Sequence, residues 1–216
     1  MPFMRFVAML LLLVGPVVLM APRPVAAAEA AQLDEQQLAA VQQLNEFING
    51  VKYMRGDFAQ ISPTGKLARG VFFISKPGKM RFEYAPPVPL MIVSDGKWVM
   101  IKNKNKENGD TGPLSKTPLR IVLSDNVDLL KDAKIVSVED ADGITSVTLE
   151  DKSNGFDGGQ LVLAFDRARN ELQQWVVIDG KGRRTTVTLE NVVMGEAPDP
   201  KLFVVKFTQR NPNANK

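Results

Sequence analysis

The chain has 216 residues, no cysteine, no histidine and a formal net charge of +3. Without cysteine it forms no disulfide and has no thiol to carry a lipid anchor. Without histidine it lacks Ser-His-Asp triads, Cys-His dyads and most zinc or iron sites, so any catalysis would rest on carboxylates, lysine, serine or tyrosine.

The N-terminus has three parts. Arg5 is the sole charge before residue 23, an apolar run Phe6–Ala21 follows, and Val25-Ala26-Ala27-Ala28 precedes Glu29. A positive start, a short apolar middle and small residues at the end read as a secretory signal, with the cut between Ala28 and Glu29. The alternative is an uncleaved anchor helix. That needs about 20 unbroken apolar residues, and Gly15-Pro16 interrupts this run. The chain thus divides into a signal at 1–28 and one domain at 29–216. Loss of Arg5 and Arg23 takes the charge from +3 to +1, so the basic balance gives no reason to expect a nucleic-acid partner.

From Asp34 to Asn49, Leu38, Val41, Leu44, Phe47 and Ile48 recur at helical spacing, and Gly50 ends the pattern. The period then changes to two. Strands are expected at Val51–Ile61, Leu67–Lys76, Lys79–Tyr84, Leu90–Ser94 and Trp98–Lys102, separated by Pro63-Thr64-Gly65, Pro77-Gly78, Pro86-Pro87 and Asp95-Gly96. Asn103 to Pro113 reads as a polar loop. Ser115 to Asp132 lacks alternation, and Leu119, Val122 and Leu123 share a helical face, so one or two short helices are expected there. A second run of strands follows at Lys134–Glu139, Ile144–Asp151, Gln160–Asp166, Leu172–Asp179, Arg184–Asn191 and Leu202–Phe207. Thr208 to Lys216 reads as a disordered tail. About eleven antiparallel strands in one meander should curl into a barrel or part-barrel, with the helices covering a mouth or a face.

Several strands are apolar on both faces. Leu161, Leu163 and Phe165 alternate with Val162 and Ala164, and Trp98 and Met100 alternate with Val99 and Ile101. Ordinary core with a helical cover explains this; a concave apolar pocket is the sharper alternative. Met54, Met80, Met91 and Met100 fall on strands, where a flexible thioether fills gaps or lines an adaptable pocket. Lys97, Lys102, Lys104 and Lys106 read as the solvated flank of a loop. The carboxylates of Glu139-Asp140-Ala141-Asp142 and Glu150-Asp151 fall at turns and not opposite one another across a cleft. No nucleophile elbow, phosphate loop or dinucleotide fingerprint is present.

In order and spacing, several segments together resemble the LolA family of periplasmic lipoprotein carriers. They are the first helix followed by Gly56-Asp57-Phe58-Ala59-Gln60, then the run from Gly70 to Tyr84, Ile92-Val93-Ser94-Asp95-Gly96-Lys97, Thr117-Pro118-Leu119, and Pro198-Asp199-Pro200-Lys201-Leu202-Phe203. The resemblance implies a mainly β fold with a few helices, an incomplete antiparallel barrel closed by a helical lid over an apolar cavity. It implies a monomeric carrier, without cofactor or metal, that binds the acyl chains of lipoproteins. These would come from an inner-membrane ABC release complex and pass to an outer-membrane acceptor lipoprotein where the host has one. The cavity would use Met80 and Phe82, with Tyr84, Leu90 and Ile92 beside them and Leu44 and Phe47 from the first helix. Leu119, Val122 and Leu123 would form the lid. Lys76 stands where the family often has an arginine that bonds lid backbone, so it would be the latch, with one ammonium in place of a five-donor fork. Phe82 stands where the family has a cavity tryptophan.

Two other readings stay open on sequence. One is a lipid or lipoprotein sensor of the same fold. The other is a carboxylate hydrolase, which would need two acids facing each other inside the concavity.

Overall fold

The computed structural model describes residues 33–106, 109–152 and 158–205. The export signal expected at 1–28, its expected cut after Ala28 and the disordered tail expected at 208–216 lie outside these residues. The chain opens with helix α1, Glu35–Gly50. Asp34 caps it: its carboxylate accepts from the Gln37 N–H at 2.8 Å, and Gln37 Oε1 accepts from the Asp34 N–H at 3.1 Å. Such a reciprocal box is worth about 1 kcal/mol. Ala40, Val41, Leu44, Phe47 and Ile48 form the buried stripe.

Eleven strands follow: β1 Tyr53–Ile61, β2 Leu67–Ser75, β3 Lys79–Tyr84, β4 Leu90–Asp95, β5 Trp98–Asn103, β6 Gly109–Pro113, β7 Ala133–Ala141, β8 Ile144–Asp151, β9 Gln160–Asp166, β10 Glu171–Ile178 and β11 Arg184–Met194. They make one antiparallel sheet in the order β6-β5-β4-β3-β2-β1-β11-β10-β9-β8-β7. The first and last strands of the chain's meander, β1 and β11, pair at its centre. β6 and β7 are its two edges, so the barrel is left open. Between these edges run a 3₁₀ turn, Leu114–Lys116, and two one-turn helices, α2 Arg120–Leu123 and α3 Leu129–Asp132.

Alternation places one face inward throughout. Phe58, Phe72, Phe82, Tyr84, Val147, Leu149, Leu161, Leu163 and Phe165 are all 5% exposed or less and belong to one core beneath α1 and the short helices. A fully buried Phe or Leu contributes roughly 1.5–3 kcal/mol, so this concave layer carries most of the fold's stability. The outer face of β9 presents Val162 and Ala164, both only half-buried. On β4 and β5, the outward Val93 and Met100 are covered by Val205, with Met91 beside them. That cover explains why this part of the sheet is apolar on both faces.

Two expectations need correction. The strand expected at Leu202–Phe207 is a 3₁₀ turn, Pro200–Phe203, as far as the described residues go. Pro200 starts it, and Asp199 accepts from the Lys201 N–H at 2.9 Å; it lies against β3 and β4. Conversely, the polar loop at Asn103–Pro113 contains β6. That strand has no alternation of its own, and its pairing follows from the open edge of β5, with Pro113 opposite Trp98 at its end. The count of eleven survives because one strand replaces another. The short-helix segment holds two helices, α2 and α3, after the 3₁₀ turn, within the one or two expected.

Candidate functional site

α1 and α2 close over the middle of the concave face and leave an apolar cavity of about 40 Å³ beneath them. Its floor is a cross-strand row. Met54 of β1 pairs with Ile74 of β2, and Ile74 pairs with Met80 of β3. Phe82 continues the floor along β3, and Leu172 and Trp175 enter it from β10. Its roof is Phe47, Ile48 and Val51 at the end of α1, and Leu119, Val122 and Leu123 around α2. Lys76 is the one charged residue in this lining, and no carboxylate belongs to it. Glu83 lies on the outward face of β3 and pairs with Arg81 at 2.9 Å, while Glu150 pairs with Lys134 at 3.0 Å. The acid pair that a hydrolase needs is therefore not in this cavity.

Several ties hold the roof. The Gly78 N–H donates to the Leu123 carbonyl at 2.8 Å, joining the β2–β3 turn to the end of α2. Gly78 sits at φ +73°, and a Cβ there would lie 2.6 Å from the Gly96 Cα. Only glycine fits this crossing of two hairpin turns. Arg120 of α2 pairs with Asp151 at the end of β8, whose carboxylate side chain is 1% exposed. Asn49 of α1 bonds both backbone groups of Val127: its Nδ2 donates to the carbonyl at 2.8 Å, and its Oδ1 accepts from the N–H at 2.7 Å. Asn45 Oδ1 accepts from the Leu129 N–H at 3.1 Å.

Lys76 Nζ donates to the Ile48 carbonyl at 2.8 Å. The ammonium thus binds the C-terminal end of α1, where a cation complements the helix dipole, and it is the Gly78 N–H that binds α2. Burial pulls the Lys76 pKa below its ordinary value, and Asp125 works against that shift.

Phe47, Met80, Phe82, Leu119, Val122, Leu123 and Lys76 all meet at the cavity. Leu44 does not reach it; it is wholly buried under α1. Tyr84 lies further along β3, edge-on to Phe58 at 5.0 Å, and donates to Gln60 at 2.7 Å. Burial pushes its hydroxyl up to about 12. Leu90 and Ile92 pack, half-buried, at the margin of the main core. Sequence reading did not assign Ile48, Val51, Ile74, Leu172 or Trp175 to the site, and it gave Met54 only as a strand methionine that fills gaps or lines a pocket. Met54 and Ile74 share the row of Met80, a signal available from pairing alone. Trp175 brings an indole to the cavity from β10, and its ring lies 5.7 Å from that of Phe82. A cavity tryptophan is thus present, on the opposite wing of the sheet from the position Phe82 occupies.

Residues 49–206 match the sequence model of the family described as outer membrane lipoprotein carrier protein LolA. A Cupriavidus pinatubonensis protein named outer-membrane lipoprotein carrier protein is 30% identical over 153 residues, covering 61% of this chain and 72% of its own. One of the same name from Dechloromonas aromatica is 26% identical over 177 residues, covering 78% and 83%. The crystal structure of a LolA superfamily protein from Nitrosomonas europaea superposes with a TM-score of 0.44 at 11% identity, over 76% of this chain and 97% of its own. The chain belongs to the LolA family.

Proposed function

We propose that this LolA-family chain is a periplasmic carrier, not an enzyme, that shields the acyl chains of lipoproteins between the inner and the outer membrane. The observation that carries this reading is the apolar cavity between the sheet's concave face and a roof of short helices. An acyl chain gains about 0.8 kcal/mol per buried methylene, so a lipoprotein leaves a membrane only into comparable surroundings. A lining that is apolar apart from Lys76 offers this without selecting among chains.

At about 40 Å³ the cavity is too small for an acyl chain. An apolar cavity that takes up benzene has a volume of about 150 Å³. Loading therefore requires the roof to move, and its construction favours that. α2 and α3 have four residues each, too few to be stable alone, so they keep their shape only through tertiary contacts. Met54 and Met80 in the floor can rearrange around a flexible guest. On this reading Met80, Phe82 and Phe47 contact the chains, Leu119, Val122 and Leu123 form the moving cover, and Lys76 latches α1. The protein works as a monomer between an inner-membrane ABC release complex and an outer-membrane acceptor.

Depletion of the protein in its host tests the reading. Outer-membrane lipoproteins should accumulate at the inner membrane. An unchanged distribution between the two membranes overturns it.

A further inference from the structure

A second space, of about 380 Å³, lies beside the apolar cavity, against α1, β10 and β11. The two share three wall residues: Phe47 of α1, Met54 of β1 and Leu172 of β10. These side chains separate the small apolar cavity from the larger space beside it, the outer chamber. They are 5–8% exposed, whereas Leu163 and Phe165 deeper in the core are at 0%.

The outer chamber becomes polar at its lip, where Arg169, Glu171 and Gln173 stand. Arg169 Nε donates to Asp166 at 2.7 Å, and Gln173 Nε2 donates to the same carboxylate at 3.0 Å. The Arg169 side chain is otherwise open to solvent, at 61%. A lip with both donors and acceptors suits ester and amide groups, and the wall behind it mixes Leu189, Val192 and Met194 with Thr188 and Asn191.

This seam is also the loosest side of the roof. The side-chain bonds of α1 run elsewhere: Gln37 to Val138 of β7, Gln43 to Arg167 beyond β9, and Asn49 to Val127. Among the described residues, no hydrogen bond joins α1 to β10 or β11. The groove on the other side, along Pro77, Gly96 and Ser124, shares only Leu123 with the apolar cavity. There the Leu123 carbonyl is already bound by Gly78. Opening that side breaks a backbone bond, whereas at the seam the roof can lift from β10 and β11 without breaking one, and the unbranched Met54 side chain can rotate clear.

We infer that acyl chains enter and leave through this seam, with Phe47, Met54 and Leu172 as an apolar gate. Arg169, Glu171 and Gln173 receive the ester and amide groups to which the chains are joined. This port rests on the carrier reading given above, and one experiment separates the two. The chain has no cysteine, so a single introduced thiol is the only reactive one. Val192→Cys puts it on the outer chamber's wall, where a bulky methanethiosulfonate adduct plugs the chamber reversibly. Parinaric acid, which fluoresces when buried, reports uptake. V192C should lose uptake when plugged, relative to its own unmodified form, and regain it after reductant. The same adduct on Ser124→Cys, in the opposite groove, should change nothing. Met194→Cys, on the same wall and half-exposed, repeats the test if V192C does not fold. Undiminished uptake by the plugged variant, or a block from the Ser124 position, overturns the port. Failure of the unmodified parent to take up parinaric acid overturns the carrier reading itself.

Discussion

Phe82 of β3 meets Trp175 of β10 edge to face, with ring centroids 5.7 Å apart and planes at 81°. Three strands, β2, β1 and β11, separate theirs in the sheet, so the rings meet across the concavity. Phe82 also stacks on Phe72 at 5.7 Å and stands edge-on to Phe58 at 5.0 Å. One side chain therefore packs the sheet against itself. Phe82→Ala should cost ~3–5 kcal/mol, because its ring neighbours come from three other strands and cannot collapse together into the void. Urea denaturation measures this. A loss below about 1 kcal/mol would mean that the rings do not form one packed unit. Aspartate at this position is a poor probe of ligand binding, because an unmatched charge among three rings should unfold the protein before it repels a guest.

The same contact makes Trp175 a reporter. The chain has two tryptophans; Trp98 is 41% exposed, and Trp175, on the cavity wall, is 4% exposed. In a Trp98→Phe background, emission should be that of a buried indole. A brominated fatty acid, which quenches on contact, should extinguish it. In a Trp175→Phe background the remaining Trp98 should be quenched little. Equal quenching of the two would place the guest outside the cavity.

The roof's tie between Arg120 and Asp151 should behave as a partly buried ion pair. Arg120→Met removes the cation facing a carboxylate that is 1% exposed, while Arg120 itself is 28% exposed. The loss should fall near the lower end of the ~3–5 kcal/mol expected for breaking a buried pair. Adding Asp151→Leu should recover most of it, since a well-packed apolar replacement is often neutral. Thermal melts of the three variants measure this. A double variant as unstable as Arg120→Met alone would mean that the carboxylate has a structural role independent of its cation.

The strands were legible because each half-buried segment alternates: β3, β8 and β9 lie where the period of two puts them. β6 was hidden because an edge strand takes its register from its neighbour, and its own Gly-Asp-Thr-Gly-Pro sequence has no apolar face. The turn at Pro200–Phe203 read as a strand because its apolar residues cover the outside of β3 and β4, a demand invisible from the segment alone. For the site, alternation identifies which residues face inward but not how far along each strand the roof sits. Tyr84 faces the same way as Met80 and Phe82 yet lies beyond the cavity. Trp175 belongs to it only because the sheet curls enough to bring β10 opposite β3.

Lys76 links this geometry to pH. Its ammonium donates to the Ile48 carbonyl at the end of α1, and burial lowers its pKa below the ordinary 10.5. Below the lowered value, both the folded and the unfolded chain keep the proton, and stability has no slope from this group. Between that value and 10.5, the unfolded chain binds more proton than the folded one, so stability rises with pH. Other lysines and tyrosines titrate nearby, so the comparison is with Lys76→Met, which removes this group alone. The stability of the native chain relative to Lys76→Met should be flat near neutrality and climb in the alkaline window. A relative stability that falls there would mean that the folded state favours the ammonium more than water does. Lys76→Arg adds a second measurement: a planar fork that stays charged should show no alkaline climb, while its extra donors hold the end of α1 near neutrality. Hydrogen exchange at Phe47, Ile48 and Asn49 should then be slower than in the native chain, and faster in Lys76→Met.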